Sequence, residues 1–517
     1  MKNLAVIDIG SNSVKIVLSE VKKNQSFKLI DELKETVRLG EGMSENTYMK
    51  KDRMDIALKT IRMFKNLCDA TDTDDIIAVA TAAVRNADNK NYFLKRLKES
   101  TGLDVRVLSG KEEGFYDYWG VVNSIGHSEG LIMDIGGGSV ELIWMKEREI
   151  KKSASLNFGA LTLTQKFDLF DPIETSKEEQ VKEFLYENYK ELDWLNDMNN
   201  PLLIGVGGTI RNIAKIDKRG KEYPLDRLHY YEMATDEVFD VYDLVKEKTI
   251  EQRKNISGLS SKRADIFIGA SALISFLMKQ YDFKNLLISN KGIREGLIYN
   301  YIYDDDQPAK DVIDFSIKNI MHSFDLNIEH AQHIHFLTNT LFERLKEIFS
   351  FDIEEFKGDL ENIIKVACMF HDIGTKVNYY DHHEHSFYMI INSDINGVTH
   401  HELLISAFIA ASHRHSKYSL RKYNLNRASF KQIISKNGKD KEVIRKIGII
   451  LEIAESLDRS MKGIVEDVEC TVDDEKVEIA VISEEDVELE INDALGAAEG
   501  FNKLYNRKLI IRQKDKY

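Results

Sequence analysis

The sequence predicts an α/β protein with a duplicated N-terminal half, followed by an all-α domain and a small α+β C-terminal unit. Three observations predict this fold class. Strand and helix patterns alternate up to residue 108, a nine-residue motif recurs with an offset of 126 residues, and the patterning becomes mostly helical after residue 310. Because the chain has 517 residues, about three or four domains are expected.

Residues 1–125 are predicted to form the first α/β lobe. Short apolar runs separated by polar or small residues predict strands, and apolar residues three or four positions apart predict a helix over 54–68. In chain order, the predicted elements are strands 4–8, 14–19 and 27–33, the helix, strand 76–80, helix 89–98 and strand 105–108.

An internal repeat predicts a second lobe over residues 126–303. Residues 6–14 align with residues 132–140, and in both copies an apolar strand ends in Asp-Ile-Gly, passes through small residues and resumes as a strand. A third glycine-rich turn, over 205–209, follows another apolar run and predicts strand, turn and helix. We therefore expect two lobes, each opening with a β-turn-β loop suited to phosphate.

An acidic segment that contains proline, residues 304–308, predicts the boundary between the duplicated half and the rest. We expect a helical domain over residues 310–463. After it, residues 468–471, 477–481 and 487–491 alternate like strands, which predicts a small α+β domain over residues 464–517.

Composition limits the classes of partner. The net charge of −15 argues against a general nucleic-acid binder, which needs excess cations to displace phosphate counterions. No apolar run reaches the roughly 18 residues that span a bilayer, and no signal-peptide pattern is present, so we expect a cytoplasmic protein without a membrane partner. Eleven Lys or Arg residues between His413 and Lys446 form either a local polyanion track or a solvated surface. We also expect a homodimer.

The glycine-rich turns are candidate phosphate sites, because glycine lets backbone N–H groups approach phosphate oxygens without a Cβ in the way. Neighbouring hydroxyl and amide groups would add side-chain donors. The candidates in these turns are Ser11, Asn12, Gly136, Gly137, Gly138, Ser139, Gly208 and Thr209.

Carboxylates beside these turns are candidate ligands of a divalent ion, which phosphoanhydride hydrolysis usually requires. Asp8 and Asp134 occupy equivalent positions of the repeat. They would face each other across a cleft, where they could hold magnesium directly or through water. Glu141 lies two residues after Ser139, on the same strand face, and is a further candidate.

A carboxylate at the start of a helix is the candidate general base. Ser109 and Glu112 fit a capping box, which gives Glu112 a structural role. Glu113 is left free, and we expect it to orient and deprotonate the attacking water. The alternative is that Glu113 only complements the helix dipole. Arg85, where a strand gives way to a loop, is either a phosphate clamp or a surface ion pair.

Five segments resemble, in order, the signatures of the exopolyphosphatase and guanosine pentaphosphatase family. They are residues 8–13 (DIGSNS), 80–85 (ATAAVR), 109–113 (SGKEE), 134–141 (DIGGGSVE) and 207–211 (GGTIR). The resemblance spans about residues 1–300. It implies the duplicated ribonuclease H-like ATPase fold of actin and sugar kinases, dependence on Mg²⁺ and removal of terminal orthophosphate.

The same resemblance implies roles for individual residues. Glu113 matches the catalytic glutamate of the family, while Asp134 and Glu141 match acidic residues of its ion site. The residues that match phosphate contacts are Ser11, Asn12, Arg85, Gly137, Ser139, Thr209 and Arg211.

Four residues of the helical half resemble the metal ligands of the HD phosphohydrolase superfamily. His371 and Asp372 follow the apolar run 363–370, with His330 upstream and Asp458 downstream. The resemblance implies a second divalent metal site; the alternative is that His371 and Asp372 only form hydrogen bonds within the core. The spacing of the other histidines fits no closed zinc site; these are His382, His383, His385, His401, His413 and His415.

The leading hypothesis is an exopolyphosphatase that releases terminal orthophosphate from inorganic polyphosphate, with the C-terminal half holding the polymer. A guanosine pentaphosphate (pppGpp) 5′-phosphohydrolase that uses the same site is the nearest alternative. The other two are a nucleotide phosphodiesterase run by His371 and Asp372, and a non-catalytic sensor of phosphorylated nucleotides.

Overall fold

The chain divides into two compact units. In the computed structural model, which describes residues 1–43, 46–199, 201–303, 307–414, 430, 432–434 and 437–514, the first unit comprises residues 1–222 and 227–312 and the second comprises residues 223–226 and 313–517. Residues 304–306 of the predicted boundary, and most of the basic stretch between His413 and Lys446, lie outside the described residues. Among the described helices, none is long and apolar enough to cross a membrane.

The first unit begins with a five-stranded mixed sheet in the order β3-β2-β1-β4-β5. Its central strand β1 is buried from Leu4 to Ile9, as expected for a strand covered on both faces. The strands are β1 (Lys2–Ile9), β2 (Ser13–Val21), β3 (Phe27–Thr36), β4 (Asp75–Ala80) and β5 (Val105–Val107). The helices that follow them are α1 (Lys51–Ala70), α2 (Ala82–Arg85), α3 (Lys90–Thr101) and α4 (Gly110–Val122).

A second sheet in the same unit repeats this order. Its strands lie in the order β10-β11-β9-β6-β7-β8. Read from the other edge, β8-β7-β6-β9-β11 corresponds strand by strand to β3-β2-β1-β4-β5 of the first sheet, and β10 is an additional edge strand. The strands are β6 (Gly130–Ile135), β7 (Val140–Lys146), β8 (Glu149–Leu156), β9 (Leu203–Val206), β10 (Glu232–Ala234) and β11 (Asn285–Ile288). The helices are α5 (Ala160–Phe167), α6 (Thr175–Lys190), α7 (Gly207–Gly220), α8 (Thr235–Lys246), α9 (Ile250–Lys254), α10 (Phe267–Gln280) and α11 (Ile293–Ile302).

The two repeat hairpins close in the same way, which confirms the duplicated ribonuclease H-like fold predicted from the sequence. In the first, Gly10 N–H donates to the carbonyl of Ser13 at 3.1 Å; in the second, Gly136 N–H donates to the carbonyl of Ser139 at 3.0 Å. Each turn joins two antiparallel strands in the same register. An Asp-Ile-Gly strand end therefore lies at the same place in both sheets.

The second unit is helix-rich and ends in a three-stranded sheet, and one hydrophobic core runs through both parts. Its helices are α12 (Val312–Ser323), α13 (Ile328–Leu345), α14 (Leu360–Phe370), α15 (His382–Asn392), α16 (His400–Ala411) and α17 (Lys439–Leu457). The terminal part contains β12 (Asp467–Val472), β13 (Lys476–Ile482), α18 (Glu488–Ala494), α19 (Ala498–Tyr505) and β14 (Lys508–Gln513).

The predicted strand over residues 487–491 is wrong, because this segment is the start of helix α18. Its buried positions, Val487, Glu490 and Ala494, are three and four residues apart, and this spacing outweighs the alternation of the same stretch. The third strand of the sheet is β14 instead, which pairs in parallel with β13 and was not predicted.

Candidate functional site

A cleft of about 820 Å³, including the solvent at its mouth, is lined by the glycine-rich turns of both sheets of the first unit. Most candidate residues from the sequence line it: Asp8, Ser11, Asn12, Glu113, Asp134, Gly136, Gly137, Ser139, Gly208, Thr209 and Arg211. Arg85, Gly138 and Glu141 are not part of the lining. The fold thus brings candidate residues from four distant parts of the chain to one cleft.

The two hairpin turns touch each other. A Cβ on Gly137 would lie 3.1 Å from Cβ of Ser11, and a Cβ on Gly138 would lie 3.0 Å from its Oγ. Both distances are tighter than ordinary van der Waals contact, so the small residues allow the turns to meet. Their backbone N–H groups are therefore available to the same ligand.

A third turn, between β9 and α7, contacts the carboxylate of Asp134. Gly207 has φ = +87°, a left-handed conformation that favours glycine, and a Cβ there would overlap Oδ1 of Asp134. Gly207 is also the first residue of α7, so the positive end of this helix lies beside the carboxylate. The same helix end is suited to a phosphate.

Glu113 is buried and paired with Arg85. The predicted capping box is present: Ser109 N–H donates to Glu112 at 2.8 Å, and Glu112 N–H donates to the Ser109 hydroxyl at 3.2 Å. The next residue, Glu113, is 4% exposed, and its Oε2 lies 2.6 Å from Nη1 of Arg85. Arg85 also donates to the carbonyl of Leu108 at 3.0 Å, which holds its guanidinium against the start of α4.

Burial dominates the electrostatics of the carboxylates. It raises the pKa of Glu113 to about 7, a rise that Arg85 opposes and that the charges of Asp134 and Asp8 reinforce. Burial likewise raises the pKa of Asp134, and raises the pKa of Glu141 well above its usual range, with the neighbouring Glu113 adding to the rise. Several acids thus share a region that strongly favours an added cation.

Unpartnered buried oxygens mark where a cation would fit. Oδ1 of Asp134, Oε2 of Glu141 and both carboxylate oxygens of Asp117 are buried without a hydrogen-bond partner. Oε1 of Glu141 accepts a hydrogen bond from the Ser155 hydroxyl at 2.9 Å. Because unpartnered buried carboxylate oxygens are costly, these donors fit a divalent ion.

Asp117 is a functional candidate that the sequence analysis missed. It lies one helical turn after Glu113 on α4 and is fully buried. Burial raises its pKa well above the usual range, and the charges of Asp134, Glu141 and Glu113 raise it further. The four-residue spacing from Glu113 was the available signal, since it places both on one helix face.

Three cations of the cleft were also missed. Lys15 lies 3.2 Å from Asp8, Arg263 donates to the Thr209 hydroxyl at 3.0 Å, and Arg294 lines the same cleft. Burial and, to a smaller extent, the charge of Arg211 lower the pKa of Arg263 to about 10, so an anion here would relieve repulsion between the two guanidiniums.

The repeat itself contained the signal for Lys15. At the offset of 126 residues, Lys15 of the first hairpin corresponds to Glu141 of the second. The strand pairing agrees: Asp8 lies opposite Lys15 and Asp134 lies opposite Glu141. One hairpin therefore presents a cation where the other presents an acid.

The second unit brings together three of its four predicted metal ligands. One ligand atom each from His330, His371 and Asp372 lies within 4.8 Å of the others, together with Glu455. Asp458 instead accepts a hydrogen bond from Nδ1 of His330 at 2.7 Å, one step further from this centre. Sequence spacing gave no reason to prefer Glu455 to Asp458.

Two models of protein families together match most of the chain. The model of the Ppx/GppA phosphatase family matches residues 16–304, and the model of domain III of Ppx/GppA phosphatases matches residues 312–498. A curated protein from Fusobacterium nucleatum, named bifunctional 3-dehydroquinate synthase/phosphatase, is 30% identical over 307 residues. These cover 57% of this chain and 46% of that protein, so the chain spans about half the length of this relative.

Two solved structures are similar to the N-terminal part. An exopolyphosphatase from Cytophaga hutchinsonii is 26% identical with a TM-score of 0.56, covering 58% of this chain and 98% of that one. The Ppx/GppA family member from Aquifex aeolicus is 26% identical with a TM-score of 0.51, covering 59% and 99%. Almost the whole of each protein therefore corresponds to a little over half of this chain.

Proposed function

We propose that this chain, which belongs to the Ppx/GppA phosphatase family, hydrolyses the terminal phosphoanhydride bond of inorganic polyphosphate and releases orthophosphate. The observation that carries the proposal is the position of Glu113, a buried carboxylate lining a cleft of glycine-rich turns and cations. Hydrolysis of a phosphoanhydride end group needs this combination: hydrogen-bond donors and cations that bind the phosphate, and a base that activates the water.

The donors of the cleft would hold and orient the terminal phosphate. Backbone N–H groups of the two hairpin turns and of the start of α7 would donate hydrogen bonds to the phosphate oxygens, because the glycines there leave room for a close approach. The side-chain donors would be Ser11, Asn12, Ser139 and Thr209. Lys15 and Arg211 line the cleft and would balance the charge of the phosphate.

Glu113 would act as the general base. It takes a proton from water while the water oxygen forms a bond to the terminal phosphorus, and the bridging P–O bond breaks to leave the shortened polymer. Arg85 would keep Glu113 oriented and favour its ionised form before the reaction, since the two are paired at 2.6 Å. Nη2 of Arg85, which is buried without a hydrogen-bond partner, is the donor of this side chain left for a phosphate oxygen.

Mg²⁺ is the proposed ion. Asp8, Asp134 and Glu141 would hold it, and the unpartnered oxygens of Asp134 and Glu141 support this assignment. When bound, the ion would neutralise charge on the transferring phosphoryl group.

Guanosine pentaphosphate is the alternative substrate of the same site, because its terminal phosphate presents the same chemical group. Orthophosphate release from the purified protein should be measured on long-chain polyphosphate and on pppGpp at matched concentrations of phosphate ends. We expect a higher kcat/KM on polyphosphate. A decisively higher kcat/KM on pppGpp would show that the nucleotide, and not polyphosphate, is the preferred substrate.

A phosphodiesterase run by the second unit is distinguished by its dependence on different residues. It requires Asp372 but not Glu113, whereas the proposed function requires Glu113. Measuring both orthophosphate release from polyphosphate and cleavage of a nucleotide phosphodiester in the two single variants, Glu113→Gln and Asp372→Asn, therefore separates the functions. The homodimer and the cytoplasmic location expected from the sequence remain predictions.

A further inference from the structure

A row of three side chains crosses the first sheet beside the cleft. In the strand pairing, Asp8 of β1 lies opposite Lys15 of β2, and Lys15 lies opposite Lys34 of β3. Residues directly opposite each other in neighbouring strands project from the same face of a sheet, with Cβ atoms about 4.5–5.5 Å apart. Asp8 and Lys15 line the cleft, so Lys34 extends their row on the cleft side of β3.

The row becomes more exposed with distance from Asp8. The side chain of Asp8 is 7% exposed and that of Lys15 is 20% exposed, while Lys34 is an exposed residue. Lys34 is not part of the lining of the cleft. The row therefore leads from the interior of the cleft to the solvent, and Lys34 lies at its outer end.

The equivalent row of the second sheet has a different third member. There Asp134 lies opposite Glu141, and Glu141 lies opposite Ser155. The Ser155 hydroxyl donates a hydrogen bond to Oε1 of Glu141 at 2.9 Å, so the third residue of that row orients its neighbour. Lys34 has no such role toward Lys15, because an ammonium group donates hydrogen bonds and accepts none.

Lys34 has no acidic partner, whereas other cations beside it do. Lys15 lies 3.2 Å from Asp8, and Arg294 lies 2.6 Å from Glu32, which is two residues before Lys34 on β3. Within the described parts of the chain, Lys34 itself forms no ion pair. Its ammonium group is therefore available to an anion that the protein does not supply.

The charges that act on Lys34 are those of other cations. Desolvation by the surrounding protein and, to a smaller extent, the charges of four cations lower the pKa of Lys34 to about 7. These cations are Arg263, Lys15, Arg211 and Arg294, and all four line the cleft. An anion bound between Lys34 and this group would relieve the repulsion among them.

We propose that Lys34 binds the second phosphate of the substrate, the one joined to the terminal phosphate. This inference rests on the proposed function, because it requires a substrate with consecutive phosphates. Lys15 and Lys34 lie on adjacent strands about 4.8 Å apart, so they can contact consecutive phosphates of one linear chain.

The second phosphate is also the leaving group of the reaction. When the bridging P–O bond breaks, its electron pair and negative charge stay on the second phosphate, and the ammonium group of Lys34 would offset that charge. Recognition requires two linked phosphates, a group present in both polyphosphate and pppGpp. The relative kcat/KM on these two substrates distinguishes between them.

Two probes that cannot be hydrolysed separate the first phosphate from the second. Methylphosphonate has one phosphonate group, and methylenediphosphonate has two, joined by carbon in place of the bridging oxygen. Binding of each probe to the full chain would be measured by titration calorimetry with Mg²⁺ in excess. We expect Lys34→Met to raise the Kd of methylenediphosphonate by about 10-fold, through loss of one charge-assisted contact, and to change the Kd of methylphosphonate by less than about 2-fold.

Two further variants are the controls. Lys34→Arg keeps the positive charge and should bind methylenediphosphonate nearly as tightly as the wild type. Lys28→Met removes an exposed lysine from the same strand, about 20 Å from Lys34, and should bind both probes as the wild type does. An equal loss for both probes in Lys34→Met, or a loss as large in Lys28→Met, would overturn the proposal, because Lys34 would then contribute only general charge.

Failure of this inference and failure of the proposed function are distinguishable. Orthophosphate release together with an unchanged Kd of methylenediphosphonate in Lys34→Met would overturn the inference alone. No orthophosphate release together with the expected difference between the probes would overturn the proposed function and support the contact with Lys34. A wild type that binds neither probe would overturn the inference. Because Lys34 is exposed, its replacement removes no buried contact that folding requires.

Discussion

Nη1 of Arg85 lies 2.6 Å from Oε2 of Glu113, so the proposed general base is held by a cation in the structure. Burial raises the pKa of this carboxyl, and the charge of Arg85 and its hydrogen bond oppose that rise. Arg85, which the sequence offered as a phosphate clamp or a surface ion pair, therefore acts first on the carboxylate beside the cleft.

Replacing the base should abolish turnover without abolishing binding. Glu113→Gln keeps the size and hydrogen-bonding ability of the side chain but cannot accept the proton, so we expect kcat for orthophosphate release to fall by about 10²- to 10⁴-fold with little change in KM. The neighbouring Glu112→Gln is the control, because Gln also fits a capping box. Equal loss in both variants, or none in Glu113→Gln, would refute the assignment.

The pH dependence should report the state of the base. A general base works only when deprotonated, so kcat/KM should rise as pH increases through about 7, where the pKa of Glu113 lies. Arg85→Met removes a charge that lowers this pKa and should move the rising limb to higher pH. A limb that stays in place or moves to lower pH would show that Arg85 does not act on the base.

Gly207 should tolerate no side chain. An Ala at its positive φ is strained, and its Cβ would overlap the Asp134 carboxylate. We expect Gly207→Ala to lower the free energy of unfolding by roughly 1–3 kcal/mol and to reduce activity sharply. Gly220→Ala, at the other end of α7 with nothing within 4 Å of its Cβ, should leave both unchanged. Denaturant titration and phosphate release would measure these effects.

Lys15 should contribute to phosphate binding. Lys15→Met removes a cation from the lining of the cleft, so KM for polyphosphate should rise by about 10-fold or more, and the difference from wild type should shrink at high salt. Lys2→Met, which removes an exposed lysine paired with Asp75, is the control. A KM that does not distinguish the two variants would exclude Lys15 from the site.

Removal of divalent ions should stop the reaction. Chelation with EDTA is expected to abolish orthophosphate release, and added Mg²⁺ should restore it. Asp134→Asn should need more Mg²⁺ for half-maximal activity, because it loses a carboxylate from the proposed ion site. Activity that survives chelation, or an unchanged Mg²⁺ requirement in the variant, would argue against the assigned ligands.

Local patterns predicted much of the duplicated half. Each copy of the repeat and the capping box consists of residues close together in the sequence, so the amino-acid sequence alone was enough to single out Asp8, Asp134 and Glu113. Arg263 and Arg294 could not be found in this way, because no spacing rule relates them to the turns they join in the cleft.

The centre of the second unit shows the same limit. Glu455 and Asp458 are both acids near the end of α17, three residues apart. Which of them faces His371 depends on how the helix is rotated and where it ends. Glu455 lies within the helix, whereas Asp458 is the C-cap residue that follows its last turn. Packing sets that rotation, and His382 and His413 join Asp372 for the same reason.

Lys15 and Glu141 show how a duplicated scaffold stops being symmetric. Both halves keep the same turn and the same opposing aspartate, yet one strand partner is basic and the other acidic. In the proposed function, the first copy supplies a cation for the anionic end of the substrate and the second supplies an acid for the counterion. The halves are no longer interchangeable, because equivalent positions of the two hairpins now have opposite charges.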